Sequence, residues 1–264
     1  MKMPEIAKII QNKALGGNLY RLVLESQSLQ KAVPGQFVHF LVQSQAEPPT
    51  WDPLLRRPLS VYDLEEEKAS FLYRIVGRGT KQLANRRPGE KIDLLGPLGR
   101  GFQITQDPAL LIGGGVGAAP LLFLAHKLKE KQQKFVVLLG ARTAQELAHA
   151  GDFAKYTQDL FLVTEDGSVG RRGLVTDFVP EVAAQFKVRP KLYACGPNPM
   201  LASLAAFAKE AALPLDVSLE AAMACGVGAC FGCACQLKDG SMARVCADGP
   251  VFPYEVLDWG EKNG

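Results

Sequence analysis

Two patterns of hydrophobic and polar positions divide the chain. Up to about residue 103 the apolar residues come in short runs rich in β-branched and aromatic types: KIIQN, LYRLVLES, GQFVHFLVQ, RPLSVYDL, ASFLYRIVG and KIDLLGP. Gly, Pro and polar turns separate them, which predicts strands. Residues 43–53 form a polar, proline-bearing loop, and TKQLANRR, between the last two strands, reads as a helix ending at Pro88-Gly89. Six strands with one helix predict a small closed antiparallel barrel, with a half-open sandwich as the alternative.

From about Pro108 the period changes. PALLIGG, KFVVLLGAR, LFLVTED and KLYACG read as short buried strands. GVGAAPLLFLAHKLKEK and residues 143–150, 174–179 and 199–212 read as helices. This alternation predicts a parallel sheet with helices on its faces. After Leu215 little regular structure is legible. The expected organisation is therefore a multidomain α/β plus β chain: a barrel at 1–103, an α/β domain at 104–214 and a small C-terminal domain at 215–264. The last piece is too short for a large apolar core, so a metal group is expected to hold it together.

Composition narrows this picture only slightly. In 264 residues, 47% hydrophobic and 22% charged content is ordinary for a soluble globular protein, and a formal charge of +3 gives no sign of nucleic-acid binding. No apolar run approaches the ~20 residues that span a bilayer, and MKMPEIAKII is too short and mixed for a signal peptide. The six cysteines suit a reducing cytoplasm better than a disulfide framework.

Four of those cysteines carry the strongest chemical signal. Cys225, Cys230 and Cys233 read C-x4-C-x2-C, and Cys246 follows in a separate segment. Thiolates suit iron, and this spacing lets one loop supply three ligands of a [2Fe–2S] cluster while the fourth comes from elsewhere. The alternative is a structural zinc site, which usually shows paired C-x2-C knuckles. Cys235 lies two residues past Cys233 and is expected to be a bystander.

Gly113-Gly114-Gly115-Val116-Gly117 follows a buried strand and opens a helix, a context suited to a pyrophosphate; a tight strand–helix turn is the plainer reading. The next strand ends at Gly140-Ala141-Arg142 with no acidic residue to hold a ribose, and Arg142 is placed to face a 2′-phosphate, so NADH and NADPH both stay open. Arg56-Arg57-Pro58-Leu59-Ser60 offers an arginine for a cofactor phosphate and a hydroxyl for a ring edge, or else a solvated turn. Gly79-Thr80, at the start of TKQLANRR, is a second phosphate candidate. Tyr73 and Arg74 suit the side of a flavin or, equally, ordinary barrel core and surface. Cys195-Gly196-Pro197 closes the last strand of the α/β segment, where a small thiol fits beside a nicotinamide or is simply buried. His39, His126 and His149 have no metal or triad spacing.

The order RPLS, LYRIVGRGT, GPLGRGF, GGGVGAAP, YACGPNPM and then the four-cysteine loop resembles the ferredoxin reductase-like superfamily, in particular the electron-transfer subunits of class 1B dihydroorotate dehydrogenases. SLEAAMACGVGACFGCAC and VCADGPVF are its most specific parts. The resemblance implies FAD in the barrel, NAD(H) on the α/β domain and one [2Fe–2S] cluster at the C-terminus. It places Arg57, Pro58, Leu59, Ser60, Leu72, Tyr73, Arg74, Gly79 and Thr80 at the FAD. Gly113, Gly114, Gly115, Val116, Gly117, Cys195 and Gly196 would face the dinucleotide, and Cys225, Cys230, Cys233 and Cys246 would hold the cluster. The partner it implies is an FMN-containing catalytic subunit, two of each forming a heterotetramer active in pyrimidine biosynthesis. A related NAD(P)H-dependent ferredoxin oxidoreductase or hydrogenase subunit is the alternative, and a zinc-stabilised nucleotide-binding module is a third. No paired carboxylates or Cys/His base system for deprotonating a substrate is apparent.

Overall fold

The computed structural model describes residues 4–43 and 52–260. The predicted loop at 43–53 lies mostly outside them. Six strands close a barrel in the order β1-β2-β5-β4-β3-β6: β1 (Glu5–Gly16), β2 (Leu19–Glu25), β3 (Phe37–Leu41), β4 (Arg57–Glu65), β5 (Lys68–Arg74) and β6 (Lys91–Leu98). Closure removes the open edges that a sandwich would leave. Ile9, Leu22, Leu24, Val38, Phe40, Val61, Phe71 and Leu94 fill its interior. The barrel's α-helix, α1 (Arg78–Ala84), lies between β5 and β6 as its sequence predicts.

The second layer is a seven-stranded sheet in the order β10-β9-β8-β7-β11-β12-β15. Its strands are β7 (Ala109–Gly114), β8 (Phe135–Ala141), β9 (Leu160–Thr164), β10 (Arg171–Arg172), β11 (Lys191–Cys195), β12 (Leu215–Ser218) and β15 (Val251–Pro253). All pairs are parallel except β12 with β15. Helices α2 (Ala119–Glu130), α3 (Val179–Ala183) and α4 (Asn198–Glu210) cover its faces. Phe123 of α2 reaches across into the barrel core, and His126 of α2 meets Asp63 of β4 at 2.7 Å. These contacts set the barrel and the sheet at a fixed angle, which matters because the clefts lie along their seam.

Three expectations are modified. The stretch read as one helix at 143–150 is two 3-10 turns, Ala144–Leu147 and Ala150–Lys155. The helix at 174–179 is likewise a 3-10 turn, Val175–Phe178, running into α3. The C-terminal segment has more regular structure than its sequence suggests, with a hairpin of β13 (Ala234–Gln236) and β14 (Met242–Arg244). Leu215–Ser218, grouped with that segment in the sequence, is β12 and continues the α/β sheet. These strands are three or four residues long, too short for a readable alternation.

Candidate functional site

Two cavities meet along the seam, sharing Arg74 and Val116. The first, about 320 Å³, is walled on the barrel side by Phe37, Arg57, Pro58, Leu59, Ser60, Leu72, Tyr73, Arg74 and Thr80. Its other wall carries Gly117, Cys195, Ser218 and Glu220. Residues expected at the flavin are thus gathered in one cleft although β4, β5 and α1 supply them separately. Burial, with Glu220 nearby, pushes the Cys195 thiol well above its ordinary pKa, so it stays neutral. Ser218 and Glu220 were not singled out in the sequence; their signal is only that β12 ends beside Cys195.

Gly79 serves the cleft indirectly, and Thr80 and Tyr73 have structural bonds besides lining it. A Cβ on Gly79 would collide with the Arg57 guanidinium, so this glycine makes room for that group rather than lining the cavity. The Thr80 hydroxyl accepts from the backbone N–H groups of Val76 at 2.9 Å and Gly77 at 3.2 Å, which engages it in capping α1. The Tyr73 hydroxyl donates to Asn12 at 2.9 Å and its ring stacks on Tyr20.

The second cavity, about 480 Å³, opens at the carboxyl ends of β7, β8 and β9, where ligands of parallel sheets bind. Gly114, Gly115 and Val116 line it beside Pro197, Met200 and Ser203, with Arg142, Glu146 and Glu165 at the mouth. Gly115 has φ +54°, and a Cβ there would meet only the Arg74 guanidinium, at 3.9 Å, a backbone turn suited to a phosphate. Gly113 and Gly196 line neither cavity. Gly113 is packed on Ala118, and a Cβ on Gly117 would come within 2.8 Å of Gly196, so these glycines let two backbones pass closely.

The cysteine loop lies against the barrel side of the first cleft. Met223 lines that cleft, and Gly226 (φ +70°) packs on the His39 ring, which a Cβ there would meet at 2.7 Å. The thiols fall into pairs: Cys225 beside Cys230 and Cys246 beside Cys233, whose sulfur also accepts the Cys246 N–H at 3.4 Å. The Gly228 N–H donates to Cys246 Sγ at 3.2 Å. The Val227 N–H, aided by those of Cys230 and Ala229, pulls the Cys225 thiol down to about 6. Burial, with Cys233 alongside, pushes Cys246 up to about 12. Among the described residues no three His, Cys, Asp or Glu side chains gather as one metal ion requires. Two pairs of thiols fit two irons instead, the donor set of a [2Fe–2S] cluster. Arg244, missed in the sequence, braces the loop: it holds Asp248 at 2.9 Å, donates to the Gly228 carbonyl at 3.0 Å and lies over the Phe231 ring. Its one sequence signal is the i,i+4 Arg–Asp spacing.

Comparison with known proteins identifies the domains that carry these clefts. Residues 220–258 match the model of the iron-sulfur cluster binding domain of dihydroorotate dehydrogenase B, which removes the zinc alternative, and residues 111–206 match the oxidoreductase NAD-binding domain. The chain is 41% identical over 261 residues to the dihydroorotate dehydrogenase B (NAD(+)) electron transfer subunit of Geobacillus sp. (strain WCH70), covering 96% of this chain and 97% of that one. It is also 41% identical to the protein of that name from Bacillus cereus (strain G9842), covering 93% and 95%. Among solved structures, a chain of NADH-dependent reduced ferredoxin-NADP oxidoreductase superposes with a TM-score of 0.84 at 30% identity, over 98% of this chain and 92% of that one. The ferredoxin reductase of carbazole 1,9a-dioxygenase, at 20% identity and a TM-score of 0.65 over 80% and 67%, shares the fold. The chain belongs to the family of dihydroorotate dehydrogenase B (NAD(+)) electron transfer subunits.

Proposed function

We propose that this chain carries electrons between NAD+ and an FMN-containing subunit that oxidises dihydroorotate, two copies of each forming a heterotetramer in the cytoplasm. The observation that carries this reading is the contiguity of three sites: a cavity with a phosphate turn, a cleft sharing Arg74 and Val116 with it, and a four-thiol loop against that cleft. A bound flavin exchanges hydride with nicotinamide and single electrons with an iron–sulfur cluster, which suits the middle position.

The chain's own residues supply binding and exclusion. Arg57 neutralises a phosphate, Ser60 and the neutral Cys195 offer small polar groups in the cleft, and Gly115 leaves backbone N–H groups open to a pyrophosphate. Cys225, Cys230, Cys233 and Cys246 hold the cluster. The partner contact is placed on the loop at 224–233, where Cys230 is exposed and Val227 and Phe231 present apolar side chains at 54% and 56% exposure. Among the described residues no helix is long and apolar enough to cross a membrane.

The test is a reconstitution. The purified chain should reduce an artificial acceptor with NADH and leave dihydroorotate untouched, because no base constellation for substrate deprotonation is legible in its sequence. Adding the FMN-bearing subunit should produce dihydroorotate-dependent reduction of NAD+. Oxidation of dihydroorotate by the chain alone, or failure to form a complex, would move the assignment to another reductase assembly.

A further inference from the structure

The mouth of the second cavity carries an arrangement of charge that the reading above leaves unused. Arg142 follows the end of β8, where a nucleotide-binding sheet meets the ribose that carries or lacks a 2′-phosphate. In sequence this arginine suits a phosphate. In the structure its Nη2 donates to Glu146 Oε1 at 2.6 Å, and the same oxygen lies 3.1 Å from Arg74 Nη1. Glu146 is only 16% exposed, against 68% for Arg142. Burial opposes its ionisation, but Arg142 and Arg74 outweigh burial and hold the carboxyl below the usual carboxylate range. Glu165 lines the same cavity and adds a second negative charge.

Two arginines and two glutamates therefore cancel at this mouth. A 2′-phosphate entering it meets no net positive charge, an arginine already engaged, and carboxylates that repel it. A ribose 2′-hydroxyl is neutral and is itself a donor suited to a carboxylate oxygen.

We infer that Glu146 sets the preference for NAD(H) over NADP(H), by engaging Arg142 and presenting a carboxylate where a 2′-phosphate would stand. This rests on the cavity being the dinucleotide site proposed above. Glu146 lies in the short turn Ala144–Leu147, so replacing its charge leaves the sheet and barrel cores intact.

The experiment uses two probes that transfer no electrons, ADP-ribose and its 2′-phosphorylated form, titrated calorimetrically into the purified holoprotein. The unmodified chain should prefer ADP-ribose, and Glu146→Gln should reduce that preference at least tenfold. Glu146→Asp, which keeps the charge, should retain it. Adding Arg142→Ala to Glu146→Gln should remove the affinity gained for the phosphorylated probe. Ser203→Trp, which fills the cavity from α4, separates the two levels of inference. If it leaves ADP-ribose binding unchanged, the site reading falls. If it blocks both probes while Glu146→Gln changes the preference less than tenfold, the role of Glu146 falls alone.

Discussion

Cys233 and Cys235 stand two residues apart and have different neighbours. Cys233 is buried beside Cys246, whereas Cys235 sits on β13 opposite Ala243 and borders a cleft with Leu257 and Trp259. Replacing Cys225, Cys230, Cys233 or Cys246 with Ser should therefore lower bound iron and bleach the visible absorbance of the anaerobically purified protein. Cys235→Ser should keep two irons and two sulfides per chain. Equal loss in the Cys235 variant would overturn this ligand set. The first three proposed ligands are suggested by sequence alone, because a loop wrapped around a cluster imposes a local spacing. Arg244 and Glu146 were not, because what each does depends on partners brought together by folding: the Gly228 carbonyl and Phe231 for one, Arg74 for the other.

At the scale of elements, the two 3-10 turns after β8 divide their work. One carries Glu146 to the cavity, and the other brings Asp152 to the Tyr62 hydroxyl at 2.6 Å and to Arg21 of the barrel. Local pattern suggested one helix here, since contacts made across the seam leave no periodic trace. His149, between the turns, is buried with neither ring nitrogen partnered. Burial, opposed by Asp152, holds its pKa down at about 4 against an ordinary 6.5. Between those values the unfolded chain binds a proton that the folded one refuses. Stability should thus be fully present above pH 6.5 and fall as pH drops toward 4, by on the order of 3 kcal/mol for this one group. Thermal midpoints of the holoprotein recorded from pH 7 to 4.5 should fall less steeply in a His149→Leu variant. Parallel curves for the two proteins would show that His149 does not titrate on unfolding.

At the scale of the whole molecule, barrel and sheet were legible from the change of period near Pro108, while the route of the last fifty residues was not. The chain leaves the sheet at the end of β12, makes the cysteine loop and hairpin, and returns as β15, with Ser218 paired directly to Val251. Pro250 is also bridged to Arg100 at the end of the barrel. The cysteine segment is consequently a closed excursion with both feet planted side by side, unlike a carrier lobe on a flexible tether that swings between donor and acceptor. Distance from cleft to cluster is then a constant of the fold and not a variable sampled by diffusion. In rapid mixing, the rate at which NADH reduces the cluster should be indifferent to added sucrose; slowing in proportion to solvent viscosity would mean that the segment travels.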